Sequence, residues 1–523
     1  MMEPQQVAVP GLGMALGALE GSTRVFKGLP FAHAPRFAAP VPVSAWPAGG
    51  HDATAEQLAA WQSLQPQAET RQTEDCLTVT VRSPVGASGL PVMCWIHGGN
   101  HQDGRAEEPN EPRANALPSK GVVLVKIQYR LGLFGYFAHP ELPDTNFGTM
   151  DTITALEWIR DNIAVFGGDP QRVTIFGVSA GGDAVAHLLI NQRAEGLFHR
   201  AIMQSANVTH QFVHHRTAFL GYMPAVDAGT EFASRLVGAE PGQLDRLRAM
   251  PASDLAMAYS QAKEADSNWQ GFWPNVDGAV IPLQPFAAFA EGRHHRVPII
   301  VGSNADEGQN YTEMHRGIGG PSAENMGWVH PHPLLEHPAA GPYPDAYGDR
   351  REELAAMYPG LAHDKPRATS DLVSDQLFAH KARWYAQHAR SPAWLYLFSR
   401  QQPAPPWGGA THGGEVVFVL GHEVGEPRCP EDDVLADRIQ QLWVAFARDG
   451  DPNSAGCEEL PPWPEYAIGK SEVLMTLDHT LAATAVVRAP LLDIHDIWLR
   501  RTCRQLPRQS GGGGGASAGA AKL

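Results

Sequence analysis

Ser179 stands in Gly177-Val178-Ser179-Ala180-Gly181, with Gly182 next. The apolar run Val173-Thr174-Ile175-Phe176 precedes it, and Asp183-Ala184-Val185-Ala186-His187-Leu188-Leu189 follows with a helical pattern. A serine with glycine two residues away on either side, between strand and helix, fits a nucleophile in a tight, strained turn that bulky neighbours would block. The helix behind it would point its N-terminus at the site and favour developing negative charge. Attack on a carbonyl carbon also needs a base for the hydroxyl proton and donors for the tetrahedral oxyanion. The donors are expected from His97-Gly98-Gly99-Asn100-His101-Gln102-Asp103-Gly104. There the backbone N–H groups of Gly99 and Asn100 would be joined by that of Ala180. The bland reading of the same segment is a glycine-rich turn after a strand. Composition alone does not choose a base among 23 histidines.

Four apolar runs carry these turns: 92–96, 122–127, 173–176 and 298–301. Between the second and third, Ile153, Leu156, Ile159 and Ile163 recur at helical spacing, which predicts a helix over 151–166. Strands alternating with helices predict an α/β protein with a largely parallel sheet covered on both faces. In such sheets the ligand site lies beyond the carboxyl ends of the strands, where the Ser179 turn falls. Segments 208–275 and 310–392, rich in His, Pro, Ala and charge, read as helical insertions that shape a pocket.

The formal charge of −16 argues against nucleic acid as a partner. Five cysteines, Cys76, Cys94, Cys429, Cys457 and Cys503, include no CxxC pair, so neither a zinc site nor a disulfide framework is expected. A reducing compartment fits best. No signal peptide and no membrane-spanning run is expected, and the sequons at Asn207 and Asn310 would then stay unmodified. Residues 506–523, dominated by Gly and Ala, read as a flexible tail. Their end, Ala521-Lys522-Leu523, reads either as a peroxisomal address or as a chance ending. The cytoplasm is the leading expectation. The paired histidines His214-His215 and His294-His295 are expected at the surface, and His422-Glu423 does not extend to a zinc-binding His-Glu-x-x-His.

Further segments carry a family resemblance. They include Phe26-Lys27-Gly28-Leu29-Pro30-Phe31-Ala32, Glu74-Asp75-Cys76-Leu77, Tyr129-Arg130-Leu131-Gly132 and Asn146-Phe147-Gly148. Phe166-Gly167-Gly168-Asp169-Pro170, Pro274-Asn275-Val276-Asp277-Gly278 and Gly450-Asp451-Pro452-Asn453 continue the series. Together with the Ser179 and Gly99 segments, from about Leu12 to about Trp498, the chain resembles the type-B carboxylesterases, the cholinesterase-like branch of the α/β-hydrolase superfamily. The resemblance implies one α/β-hydrolase domain over 1–505, its large, mostly parallel central sheet flanked by helices, with helical insertions covering the active site. It implies no cofactor and no metal. It assigns the acid to Glu307 in Asp306-Glu307-Gly308, and the base to His412 in His412-Gly413-Gly414-Glu415. Asp306 is the neighbour most easily mistaken for the acid. By the same resemblance Phe272 and Trp273 approach the substrate. Ser205 and Glu415 are supporting residues behind the triad, although Ser205 equally reads as a satisfied buried hydroxyl.

Three departures stand out. Val178 occupies a position where the family often has Glu, Asn100 replaces a third glycine, and Cys76 lacks the family's upstream cysteine. Val178 removes a negative charge, and His101 and Arg105 add positive character, so an ester of a polycarboxylic acid is one expected substrate. A generic detoxifying esterase of neutral small-molecule esters is the other, with water as the second reactant. An amidase or carbamate hydrolase with the same triad stays open. A non-catalytic cholinesterase-like module does not fit a chain that keeps all three triad residues. Oligomeric state is not legible.

Overall fold

The computed structural model describes residues 4–506 except 56, 63–71, 108–113, 207–212, 220–221, 266–270, 310–349, 363–364, 403–407 and 422–428. Asn207, Asn310, His422, Glu423, most of the second expected insertion and the segment after Leu506 therefore lie outside the described residues.

The strands used below are β1 (Pro4–Val9), β2 (Gly13–Glu20), β3 (Thr23–Pro30), β4 (Thr78–Pro84), β5 (Leu90–Ile96), β6 (Val123–Ile127), β7 (Gly168–Val178), β8 (Arg200–Gln204), β9 (Ile299–Asn304), β10 (Ala393–Phe398), β11 (Val473–Leu477) and β12 (Ala482–Ala485). They form one sheet in the order β1-β2-β3-β4-β6-β5-β7-β8-β9-β10-β11-β12. From β6 to β11 every pairing is parallel, and antiparallel strands close both ends. Register sets the site: Ile96 pairs with Gly177 and Val178 with Gln204. The Gly99 loop, the Ser179 turn and Ser205 thus leave neighbouring strands at the same edge.

The unbroken apolar runs follow from burial on both faces. Cys94, Ile96, Val125, Ile175 and Met203 point into one core, while their alternates Met93, Trp95, Leu124, Phe176 and Ile202 point into the other. Helices α1 (Phe147–Asn162), α2 (Ala180–Leu188) and α6 (His380–His388) cover the first face, through Leu156, Ile159, Val185, Leu188 and Tyr385. Helix α7 (Pro430–Asp449) covers the second through Leu435, Ile439, Leu442, Trp443 and Phe446. Burying each such aliphatic or aromatic side chain contributes about 1.5–3 kcal/mol. The segment 208–275 supplies α3 (Ala225–Val237), α4 (Gln243–Ala249) and α5 (Ala252–Ala265). These pack with Phe137, Phe147 and Phe272 in a separate cluster.

Two expectations need correction. The helix expected over 151–166 starts at Phe147, because Asn146 at φ 59° reverses the chain there and exchanges hydrogen bonds of 2.8 and 2.9 Å with the backbone of Asn275. It ends at Asn162 and tightens into a 3₁₀ turn to Phe166. The histidine pairs are not both superficial. His214 is buried against Gln284, nitrogen to nitrogen at 2.6 Å. His294 is buried in a stack on Phe289 at 4.0 Å and accepts from the Arg390 backbone N–H.

All five cysteines are free thiols. Among the described residues, no helix is long and apolar enough to cross a membrane.

Candidate active site

Ser179 lies between β7 and α2 with φ 57° and ψ −125°, a region other than glycine rarely enters. Two backbone bonds hold it there: its N–H donates to Gln204 O at 2.9 Å, and its carbonyl accepts from Asp183 N–H at 2.9 Å. The flanking glycines are required by close approach. A Cβ on Gly177 would sit 2.5 Å from Ile96 O, and one on Gly181 only 2.1 Å from the same atom.

The loop after β5 folds against this turn, and a Cβ on Gly98 would lie 2.8 Å from Val178 O. Gly99, Asn100 and His101 follow with φ of 101°, 57° and 54°. The run of left-handed residues turns the chain sharply, and Gln102 and Asp103 N–H both donate back to Gly99 O at 2.9 Å. Asn100 therefore occupies the left-handed region that asparagine tolerates better than most residues. Ala180 is buried as the first residue of α2.

Glu307, which follows β9, is fully buried. Its Oε2 lies 2.6 Å from His412 Nδ1. Its Oε1 accepts from Ser205 Oγ at 2.5 Å and from Asn304 N–H at 2.7 Å. Carboxylate oxygens accept, so Nδ1 is the donor of this pair. Asp306 turns away: it accepts from Arg367 at 2.8 Å and from the Ala410 N–H at 3.0 Å, fixing the loop that leads to His412. Glu307, not Asp306, is the carboxylate on the imidazole. Ser205, at φ 49°, is buried with its hydroxyl committed to Glu307.

Glu415 is a second buried carboxylate beside this pair, accepting from Gln204 Nε2 at 3.0 Å and from Asn304 Nδ2 at 2.6 Å. Burial, then the neighbouring Glu307 charge, raise its pKa. For His412 burial disfavours the charged ring. The charge and hydrogen bond of Glu307, with the charge of Glu415, outweigh it and raise the pKa above 6.5. So although Val178 removes one family carboxylate, His412 still senses two.

The expected pocket residues fare differently. Val178 is half-buried and packs on the core of the second face. His101 is buried, its Nδ1 3.2 Å from Tyr136 OH and its ring beside that of His187. Burial, with His187 and His97 nearby, holds its pKa well below 6.5. Burial therefore works against a charge on His101, and so against the positive character expected of it. Phe272 and Trp273 are buried too. Phe272 stacks on Tyr259 at 5.3 Å, and its carbonyl accepts from Gln102 Nε2 at 2.7 Å. Phe272 thereby braces the glycine loop through Gln102.

Sequence reasoning missed Gln204, Asn304, Gln102 and Tyr259. Gln204 and Asn304 at strand ends and Tyr259 on a helix carry no local motif, Gln102 stands in the glycine loop as one residue among several, and only the pairing of distant elements shows what they hold. Cys429, Asp432 and His479 bring one possible metal-ligand atom each within 4.8 Å of one another. Arg400 already donates to both Asp432 oxygens at 2.6 and 3.2 Å, placing a fixed positive charge where a cation would go.

The family model described as "Carboxylesterase family" matches residues 5–490. Para-nitrobenzyl esterase of Bacillus subtilis (strain 168) is 32% identical over 493 residues, covering 90% of this chain and 94% of that protein. Fumonisin B1 esterase of Sphingopyxis macrogoltabida is 30% identical over 487 residues, covering 86% of this chain and 83% of that protein. A solved structure of a PNB esterase superposes with a TM-score of 0.76 at 30% identity, covering 94% of this chain and 99% of the other.

Proposed function

Because the chain belongs to the carboxylesterase family, whose members are serine hydrolases of carboxylic esters, we propose that it hydrolyses small-molecule esters through an acyl-enzyme on Ser179. His412 takes the Ser179 hydroxyl proton as Oγ bonds to the ester carbonyl carbon. The resulting oxyanion is received by the backbone N–H groups of Gly99, Asn100 and Ala180. Collapse breaks the bond to the alcohol oxygen, which leaves with the proton from His412. Water then gives a proton to His412 and its oxygen to the acyl carbon, and Ser179 departs with that proton as the acid product is released. Glu307 holds the imidazole tautomer and stabilises the imidazolium.

The observation that carries this reading is the fixed Glu307 carboxylate. It meets His412 Nδ1 on one oxygen and is pinned by Ser205 and Asn304 on the other, one strand beyond the β7–β8 edge from which Ser179 leaves. Relatives bear names for para-nitrobenzyl, fumonisin B1 and cocaine esters, which supports a role on bulky or foreign esters, including detoxification. The test is pre-steady-state hydrolysis of p-nitrophenyl butyrate. The parent is expected to give a burst of nitrophenol, and Ser179→Ala to lose it with a fall in kcat of about 10⁴-fold or more. Unimpaired turnover by Ser179→Ala would refute the assignment.

A further inference from the structure

Lys263, near the end of α5, is half-buried. Its Nζ sits 5.6 Å from the Tyr259 ring centroid and 5.7 Å from that of Trp273. Among the described residues no carboxylate comes within 4.0 Å of it. Burial, opposed by the charge of Asp103, lowers its pKa. The ammonium has thus given up much of its water for two ring faces and a distant charge, and an arriving carboxylate would gain more from it than from a hydrated surface lysine.

The platform under Lys263 is joined to the loop expected to form the oxyanion hole. Tyr259 OH donates to Gln102 Oε1 at 2.7 Å and accepts from Phe272 N–H at 3.0 Å. Gln102 N–H donates to Gly99 O at 2.9 Å. Asp103, whose charge Lys263 senses, lies so close to Gly99 that a Cβ there would be 2.9 Å from Asp103 Oδ1. A cation is therefore mounted beside the loop expected to form the oxyanion hole, in a molecule whose formal charge of −16 otherwise repels anions.

Resting on the esterase reading above, we propose that Lys263 is a specificity-determining residue that receives a carboxylate carried by the substrate, so that the enzyme accepts half-esters of dicarboxylic acids. Lys263 takes the part that the sequence suggested for His101. It touches substrate, not the reacting atoms.

The test compares kcat/KM for the mono-p-nitrophenyl ester of glutaric acid with that for p-nitrophenyl valerate, which has the same carbon chain without the charge. Lys263→Met is expected to lower kcat/KM for the glutarate ester by about tenfold or more, mainly through KM, and to leave valerate turnover within scatter. Lys263→Arg is expected to keep the parent's ratio. An unchanged ratio in Lys263→Met overturns the proposal, as does an equal loss on both esters, which would mark Lys263 as structural. Should Lys263→Met not fold, Lys263→Gln gives the same comparison. A parent that hydrolyses valerate but not the glutarate ester also overturns it while the esterase reading stands; a parent inactive on both refutes the esterase reading itself.

Discussion

His412 has to be neutral when Ser179 attacks and charged once it holds the proton. The two buried carboxylates near it serve the second condition at the expense of the first, because both raise its pKa above 6.5. The acid limb of the kcat/KM profile is therefore expected above that value, activity rising as His412 loses its proton. Glu415→Gln removes one raising charge and keeps one acceptor oxygen for Gln204 or Asn304. The limb is expected to move to lower pH, read from kcat/KM across pH. A limb that stays in place would mean that Glu415 carries a proton throughout and contributes no charge. At this scale Ser179 was proposed from a motif with a mechanical reason, whereas Glu307 and His412 came only with the family resemblance. Gln204, Asn304 and Lys263 were not legible, since their roles arise from contacts across more than a hundred residues or from a helix packed on a loop. His101, next to the glycine loop in sequence, turns its side chain toward Tyr136 and His187, which adjacency to a left-handed turn does not reveal.

Between elements, the buried pair Arg130–Asp151 joins distant parts of the chain. Arg130 Nε and Nη2 meet the two Asp151 oxygens at 2.8 and 2.7 Å, and Nη1 donates to Ala38 O at 2.8 Å. This ties the loop after β6 to α1 and to the N-terminal region. Asp151→Ala would strand a buried guanidinium, and such a break costs about 3–5 kcal/mol. A lowered midpoint in urea unfolding with an unchanged slope is expected; an unchanged midpoint would contradict the pairing. The strands and α1 were visible in the sequence as apolar runs and helical spacing. The start of α1 was not, because the left-handed Asn146 before it is held by bonds to Asn275, far along the chain.

For the molecule as a whole, α8 (Ala489–Gln505) closes the fold, burying Leu492, Ile494 and Leu499. Its Asp496 meets His380 at 2.6 Å and Arg383 at 3.3 Å on α6. Leu506, placed in the tail by composition, packs on the cluster that α8 shares with Trp273 and Trp384. Truncation after Pro507 is therefore expected to leave Tm and kcat/KM unchanged, whereas truncation before Ala489 lowers Tm sharply in a thermal melt. Equal effects of the two truncations would contradict this boundary. We propose that residues up to Leu506 act as one unit, with the catalytic edge assembled from β5, β7, β8 and β9 and from the loop bearing His412. The most direct measurement of its central claim is mass spectrometry of the protein quenched during turnover of a p-nitrophenyl ester, with the adduct mapped by peptide. An acyl group on the peptide containing Ser179, absent from Ser179→Ala, is the predicted result. Steady turnover with the acyl group on another residue, or with none trapped under burst conditions, would contradict it.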